Sequence, residues 1–561
     1  MHKFKIIKNL GGNEKISLLE NMENRKRINA AHSARETRYV GTNLYVYIIL
    51  TVFPLFLNNG LFNVLVTKFM FYAIMTTLWI VPTLVYVIKR HKIRRNETTS
   101  YEKEDSFSGV DYAAFAMLFV AIISTSLSPY KSLAFWGNSG NDGRHVGLLL
   151  IILYIISYFM VSRTSKFRIG FINAFLVVSL MVNVLGITDY FQLDILGIKA
   201  NMHPDSKPIY TSTIGNINTY TSYVALPMAI SVILFCKQKE FNKKTIFYVI
   251  SLTVAFFAII MGNSDNAYLA LAVLFGLAPI YVFTSKEGIR RYLAAVGIFL
   301  ITAKITAMVT KALGNRVIGI QSLFNIFASN IFIDIIIVVV LAVIGAWYLK
   351  DRNIKEVTHS TVVKEFVDNE GYIYKILRRV WGIILCTAIA GITWLFVNIN
   401  VFGNDIDLGT LNYYFIFNDS WGTNRGYIWR VLIELYNDEL TLVQKLFGYG
   451  PETFANLMKN NVWQEMAIKY NVIFDSPHNI FLQYLITTGI FGLTAYLVAI
   501  IGTVVSAVKY AKEEPHIMSM MFAGLCFYAQ GIVNINPPIV TPIVLLFGAL
   551  IMGYVRDVKK E

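Results

Sequence analysis

The chain has 561 residues, of which 55% are hydrophobic and only 15% charged. A soluble domain carries about 25% charged residues, so this composition excludes a cytosolic enzyme, a disordered chain and a secreted disulfide scaffold. The net charge is +15; in so apolar a chain the excess reads as Lys and Arg in inner membrane loops, and no nucleic-acid partner is expected.

In chain order, residues 1–42 are polar and basic and read as a cytoplasmic tail without a cleavable signal. Fourteen apolar segments follow, at 43–60, 66–88, 110–127, 146–162, 170–188, 219–236, 245–262, 267–284, 291–310, 330–349, 380–399, 479–508, 517–533 and 538–555. A span needs about 20 apolar residues. The run at 479–508 is longer than one span, which suggests a helix that starts outside the hydrocarbon. The expected fold class is all-α: a polytopic helical membrane bundle of about 14 transmembrane helices.

Orientation follows from charge. With the N-terminus inside, the segments 1–42, 89–109, 163–169, 237–244, 285–290, 350–379, 509–516 and 556–561 are cytoplasmic and hold most of the Lys and Arg. An even number of spans puts both termini inside. The expected organisation is a tail at 1–42, transmembrane helices one to eleven at 43–399, a helical extracytoplasmic loop at 400–476, and helices twelve to fourteen with a short tail at 477–561. The other sizeable outer segments are 128–145 and 189–218. Outer loops on a rigid helical frame are where function concentrates.

The sequence has no GxxxxGK[ST] loop, no HExxH and no Cys/His cluster, so neither a nucleotide hydrolase nor a metal site or other cofactor is expected. The cysteines Cys236, Cys386 and Cys526 lie in or beside apolar runs without metal or disulfide spacing. The first outer loop, Asn58 to Thr67, lacks the acidic residue that a glycosyltransferase with a metal-binding first loop would need there.

Five polar constellations stand at outer helix ends. In Phe135-Trp136-Gly137…Gly143-Arg144-His145-Val146-Gly147, Arg144 is placed to grip a phosphate or to snorkel to the headgroups. Ser212-Thr213-Ile214-Gly215-Asn216-Ile217-Asn218 offers small and amide side chains to a polar ligand, or a plain helix cap. Gly262-Asn263-Ser264-Asp265-Asn266 is a tight turn in which Asp265 either meets a sugar hydroxyl or caps a helix. In Asn424-Arg425-Gly426-Tyr427-Ile428-Trp429-Arg430, Arg425 stands at the edge of a helix whose apolar face is Ile428, Leu432 and Leu435. The turn Gly448-Tyr449-Gly450-Pro451-Glu452 follows it, with Pro451 suited to the first position of a further helix. Finally, Asp475-Ser476-Pro477-His478-Asn479 predicts Ser476 as N-cap and His478 in the first turn of the twelfth span. A helix N-terminus there favours a neutral imidazole, suited to a general base. Two arginines, a histidine, two aspartates and amides would thus line one outer mouth. Such a mouth suits a substrate with a lipid tail, a diphosphate and a sugar.

These motifs resemble the O-antigen ligase / Wzy polymerase family of multi-pass membrane glycosyltransferases. The resemblance rests on Trp136-Gly137…Arg144…Gly147, Gly215-Asn216-Ile217-Asn218, Arg425…Trp429, Gly448-Tyr449-Gly450-Pro451 and Asp475…His478-Asn479…Leu482-Gln483…Gly489, and covers about 110 to 508. It implies transfer or polymerisation of an undecaprenyl-diphosphate-linked glycan on the outer face of the cell membrane. The implied partners are that donor, a glycan or glycolipid acceptor, membrane lipid and other polysaccharide-export proteins. It implies metal-free, inverting displacement, with Arg425 on the diphosphate and His478 activating the acceptor hydroxyl. Arg144, Arg430, Asp265, Asn216, Asn218, Asp475, Asn479 and Tyr449 are the further candidate substrate-binding residues.

One departure stands out. Many members carry an arginine after a serine where this chain has Ser264-Asp265, so Arg144 or Arg430 is expected to replace it. Ligase and polymerase are not separated by these residues. The competing readings are a flippase or transporter of lipid-linked glycan and a membrane scaffold. A transporter would want charges near the midplane, and only Lys304 lies well within a predicted span.

Overall fold

The computed structural model describes residues 41–94, 106–138, 143–320, 322–357 and 363–559. The expected basic tail at 1–40 and parts of the inner segments at 95–105 and 358–362 lie outside that range. Every one of the fourteen predicted apolar segments is helical. Among the described residues, nine helices are long and apolar enough to cross a membrane, and four shorter ones are equally apolar. Pro515–Gln530 supplies the remaining segment, with Pro515 in its first turn and Glu514 as its cap. The protein is an all-α, multi-pass membrane protein. The one β pairing among the described residues joins Tyr210–Thr211 to Gly215–Asn216.

Local sequence starts these helices in familiar ways. Gly109–Leu127 opens with a Ser108/Asp111 capping box, and Lys243–Met261 with Asn242/Thr245. Helix Ile217–Lys237 is the axis of the bundle, its side chains buried from Thr219 to Cys236. Helices Lys243–Met261 and Pro515–Gln530 pack against it. A helix apolar on every side belongs in such a position. At the periphery, the apolar stretch of Gly371–Asn400 has no buried residue and presents Ile383, Ile389 and Trp394, the surface a lipid-facing helix needs.

Charge inside the bundle is more extensive than the expectation of Lys304 alone. Lys304 donates to Asp334 at 2.9 Å. Lys68 is fully buried and donates to the carbonyls of Phe53 and Pro54 at 2.6 and 2.8 Å. Asp111 is fully buried, accepts from Tyr158 at 2.8 Å, and meets Arg556 at 3.1 Å. Each of these charges is tied to a protein partner, as a low-dielectric interior demands.

The outer segment is a small helical layer. Helices Trp421–Asp438 and Phe454–Tyr470 share a core of their own, joined by Leu440 and by Ile486 of the later long helix, and the expected face of Ile428, Leu432 and Leu435 is inside it. Pro451 is not the first residue of a helix, as the spacing predicts: helix Phe454–Tyr470 begins three residues later, after Thr453.

The long run at 479–508 is one helix, Ile480–Tyr510, broken at Gly489 (φ 69°, ψ −175°). In an unbroken helix the carbonyls of Ile486 and Thr487 would accept from residues four further on. Here they accept from Tyr449 N–H at 2.8 Å and Gly450 N–H at 3.2 Å, and Ser124 Oγ adds a bond to Thr487 at 2.7 Å. The Gly448–Gly450 turn is thereby docked into the break. A Cβ on Gly489 would fall 2.2 Å from the Leu446 carbonyl oxygen, in a backbone region that only glycine adopts readily. Gly489→Ala is expected to lose about 2–4 kcal/mol. Thermal unfolding in detergent checks it: an unchanged melting temperature would mean the break carries no strain for other residues.

Candidate functional site

The site is assembled by helix Trp421–Asp438, the segment 475–479, the loop 143–147 and the turn 448–453. Three residues at the start of Trp421–Asp438, Gly422, Thr423 and Asn424, have positive φ, so regular helix begins at Arg425. Arg425 and Trp429 are four apart and share one face. Trp429 Nε1 donates to the Pro477 carbonyl at 2.8 Å. That bond, the Ser476 hydroxyl on the His478 N–H at 3.2 Å, and Ile480 N–H on the Gly531 carbonyl at 2.7 Å fix the backbone around His478.

His478 is not in the first turn of a helix, and Ser476 is not its cap. Asn479 is the N-cap, accepting from Phe481 and Leu482 N–H at 2.9 and 3.0 Å. His478 precedes it with φ 47°. An amide with two free N–H groups in reach outcompetes Ser476, which bends the preceding residue instead. The expected neutrality of the imidazole holds, but burial is its main cause: desolvation, then the charges of Arg425 and Arg144, pull its pKa down to about 3. Its Nδ1 is buried and has no partner among the described residues.

The three candidate arginines differ in availability. Arg144 gives one guanidinium nitrogen to both oxygens of Asp475, at 2.8 and 2.9 Å, across 331 residues of sequence. Arg430 forks onto Asp419 at 3.0 Å and also meets Glu434 at 3.1 Å, away from His478. Arg425 bonds only to the Gly422 carbonyl among the described residues, and its Nε is buried without a partner. Burial pulls its pKa down, while Tyr413 and Asp265 oppose that shift. It is the cation with coordination to spare.

Asp265 is exposed and within charge range of Arg425. Asn216 is a helix cap, accepting from Asn218 N–H at 2.9 Å. Asn218 belongs to a buried amide and hydroxyl cluster: its Oδ1 accepts from Ser264 at 2.6 Å, and its carbonyl accepts from Asn266 and Asn534, each at 3.0 Å. These are internal bonds that brace the turn 262–266. Tyr449 spends its backbone N–H on the helix break and packs its ring near Tyr130.

Beside His478 lies a polar pocket of about 390 Å³, its mouth included, lined by Arg144, Glu452, Asp475, Asn479, Gln483 and Asn536 among others. Glu452 accepts from Val146 N–H at 2.6 Å, and burial pushes its carboxyl pKa up. That bond holds the loop bearing Arg144 against the turn 448–453. The same loop is compact because Gly147 sits on Gly137, where a Cβ would fall 2.4 Å from the Gly137 nitrogen. His145 stacks flat on Phe69 at 4.5 Å, which makes it a packing residue. In the sequence, Glu452 and Gln483 stand inside quoted motifs but carry no assigned role, and the loop Asn534-Ile535-Asn536 is not singled out. The last had a signal: two amides and two prolines interrupt an otherwise apolar stretch.

Residues 317–497 match the family model described as O-antigen ligase. This segment of the chain is similar to an O-antigen ligase domain. The match spans Arg425, the turn 448–453, His478 and the break at Gly489; Arg144, Asn216 and Asp265 lie before it. No curated protein matches the chain.

A histidine whose proton affinity is lowered by burial and cationic neighbours stays neutral on acidification. In a histidine-labelled protein in lipid, the His478 signal is expected to remain that of a neutral ring at about pH 5, where an ordinary histidine is charged. Arg425→Ala should raise its titration point by removing a positive neighbour. A wild-type midpoint near the ordinary value of about 6.5 would place His478 in water.

Proposed function

We propose that this protein transfers or polymerises an undecaprenyl-diphosphate-linked glycan on the extracytoplasmic face of the cell membrane, with both chain termini in the cytoplasm. The observation that carries the reading is the juxtaposition of a neutral imidazole whose Nδ1 is buried without a partner with the guanidinium of Arg425, which makes no ion pair with a carboxylate among the described residues. His478 takes the proton of an acceptor hydroxyl. The oxygen attacks the anomeric carbon, the bond from that carbon to the diphosphate breaks, and the diphosphate leaves with the electron pair, held by Arg425. The residues present supply a base and a leaving-group clamp without a metal.

The same arrangement explains how so weak a base becomes useful. A bound diphosphate neutralises Arg425 and thus lifts the proton affinity of His478 in the complex. The base is therefore strengthened when the donor is in place.

An apolar cavity supports a place for the lipid in this reading. An apolar cavity of about 1100 Å³, its mouth included, opens among helices Gly109–Leu127, Leu148–Thr164, Ile480–Tyr510, Pro515–Gln530 and Thr541–Val558. Tyr484 lines it, and the Tyr484 hydroxyl accepts weakly from Asn536 of the polar pocket at 3.5 Å. An isoprenoid chain entering there would leave its head group by the site.

The test uses purified protein in lipid with its host's undecaprenyl-diphosphate oligosaccharide. His478→Ala is expected to abolish transfer while donor binding stays within about twofold, since the base acts in chemistry. Arg425→Ala is expected to weaken both. Full transfer by either variant overturns the assignment. A product ladder without added acceptor identifies polymerisation; transfer that needs a second glycan or glycolipid identifies ligation.

A further inference from the structure

We propose that the end of the bundle remote from His478 binds the head group of an anionic glycerophospholipid, through Lys237, Arg378 and Lys512. The site is independent of the transfer reading above. Helix Ile217–Lys237 has Asn218 beside the turn 262–266 at its start and Lys237 at its end, a bilayer's thickness away. The Lys237 ammonium lies over the Tyr281 ring, 4.2 Å from its centroid, and donates to the Thr284 hydroxyl at 3.2 Å. Arg378 and Lys512, from segments distant in sequence, stand within charge range of it, and so does one carboxylate, Glu513. The neighbouring Glu514 is held by His516 at 2.7 Å. None of the three cations forms an ion pair among the described residues. Other arginines toward that end are tied, Arg291 to Glu287 at 3.5 Å and Arg556 to Asp111 at 3.1 Å. Three like charges converging on one carboxylate repel one another until an anion joins them.

The surroundings make that anion a lipid. Arg378 and Trp381 are three apart on helix Val363–Asn400 and share one face. Trp381 Nε1 donates to the Gly276 carbonyl at 2.8 Å, and its ring lies 6.1 and 6.3 Å from those of Phe283 and Tyr292. This aromatic group sits at head-group depth, as in the belts that flank a bilayer. Beside it the same helix leaves Leu377, Val380 and Ile384 exposed. A phosphate drawn to the three cations therefore has acyl chains against an apolar helix surface. Free phosphate gains only the first contact, and a zwitterionic lipid brings a cation of its own that the cluster repels.

Native mass spectrometry tests this on the purified full chain, released from micelles that hold phosphatidylglycerol and phosphatidylcholine in equal amounts. The wild type is expected to retain phosphatidylglycerol in preference. Joint replacement of Lys237→Gln, Arg378→Gln and Lys512→Gln should cut that retention at least about tenfold, each charge near an anionic lipid being worth about fivefold. Lys243→Gln with Lys244→Gln, exposed toward the same end, should leave it within about twofold. Glu513→Gln removes the opposing carboxylate and should raise retention by about two- to fivefold. That gain keeps the test open if the triple variant fails to fold. Equal retention of the two lipids would mean no site. An equal loss on replacing Lys243 and Lys244 would mean diffuse surface charge. Unchanged retention in Glu513→Gln would remove the cluster as its cause, and displacement of the lipid by excess glycerol phosphate would make it a free-phosphate site. Each of these results overturns the proposal.

Discussion

The break at Gly489 is the constraint on which the site depends. A helix crossing a membrane normally consumes its own carbonyls. By leaving two of them open, this helix acquires an edge to which another backbone can bond, and the Gly448–Gly450 turn does so. Everything the outer segment contributes is referenced to that join. Glu452 follows the turn and holds the Arg144 loop, and Ile486 inserts into the core beneath Arg425. The half-helix above the break then presents its N-cap Asn479, and with it His478, at a fixed height. Backbone bonds of this kind are more rigid than contacts between long side chains, which suits the proposed sharing of one substrate by His478 and Arg425.

Much of the scaffold was legible because hydropathy is local. A run of apolar residues becomes a helix in a bilayer whatever lies beside it, so all fourteen segments were recovered. The face of Ile428, Leu432 and Leu435 was legible for the same reason. The helix cap at 479 was not, because Ser476, Pro477 and Asn479 each fit a start by local rules. The choice was made by the Trp429 and Gly531 contacts, which come from distant sequence. Arg144 shows the same limit: its position at a helix mouth could be read, but its pairing with Asp475 required the folded chain. An arginine read as a phosphate ligand thereby becomes part of a neutralised pair. The amide loop around Asn534 carries its own signal in polarity and proline.

Electrostatics divides the two halves of the site. On one side stands a buried guanidinium whose neighbours are a phenol and an exposed carboxylate. On the other, Arg144 is closed off by Asp475 and Glu452. On the proposed reading a doubly charged head group would be drawn to the first, where Arg425 makes no ion pair among the described residues, and not to the second. Were both arginines free, the empty site would carry two unpaired cations against His478, and a diphosphate would have two competing positions. Tying one of them to carboxylates costs a possible phosphate contact. On the proposed reading it would fix the direction in which a lipid-linked diphosphate lies relative to His478, and direction is what determines which bond an in-line displacement can break.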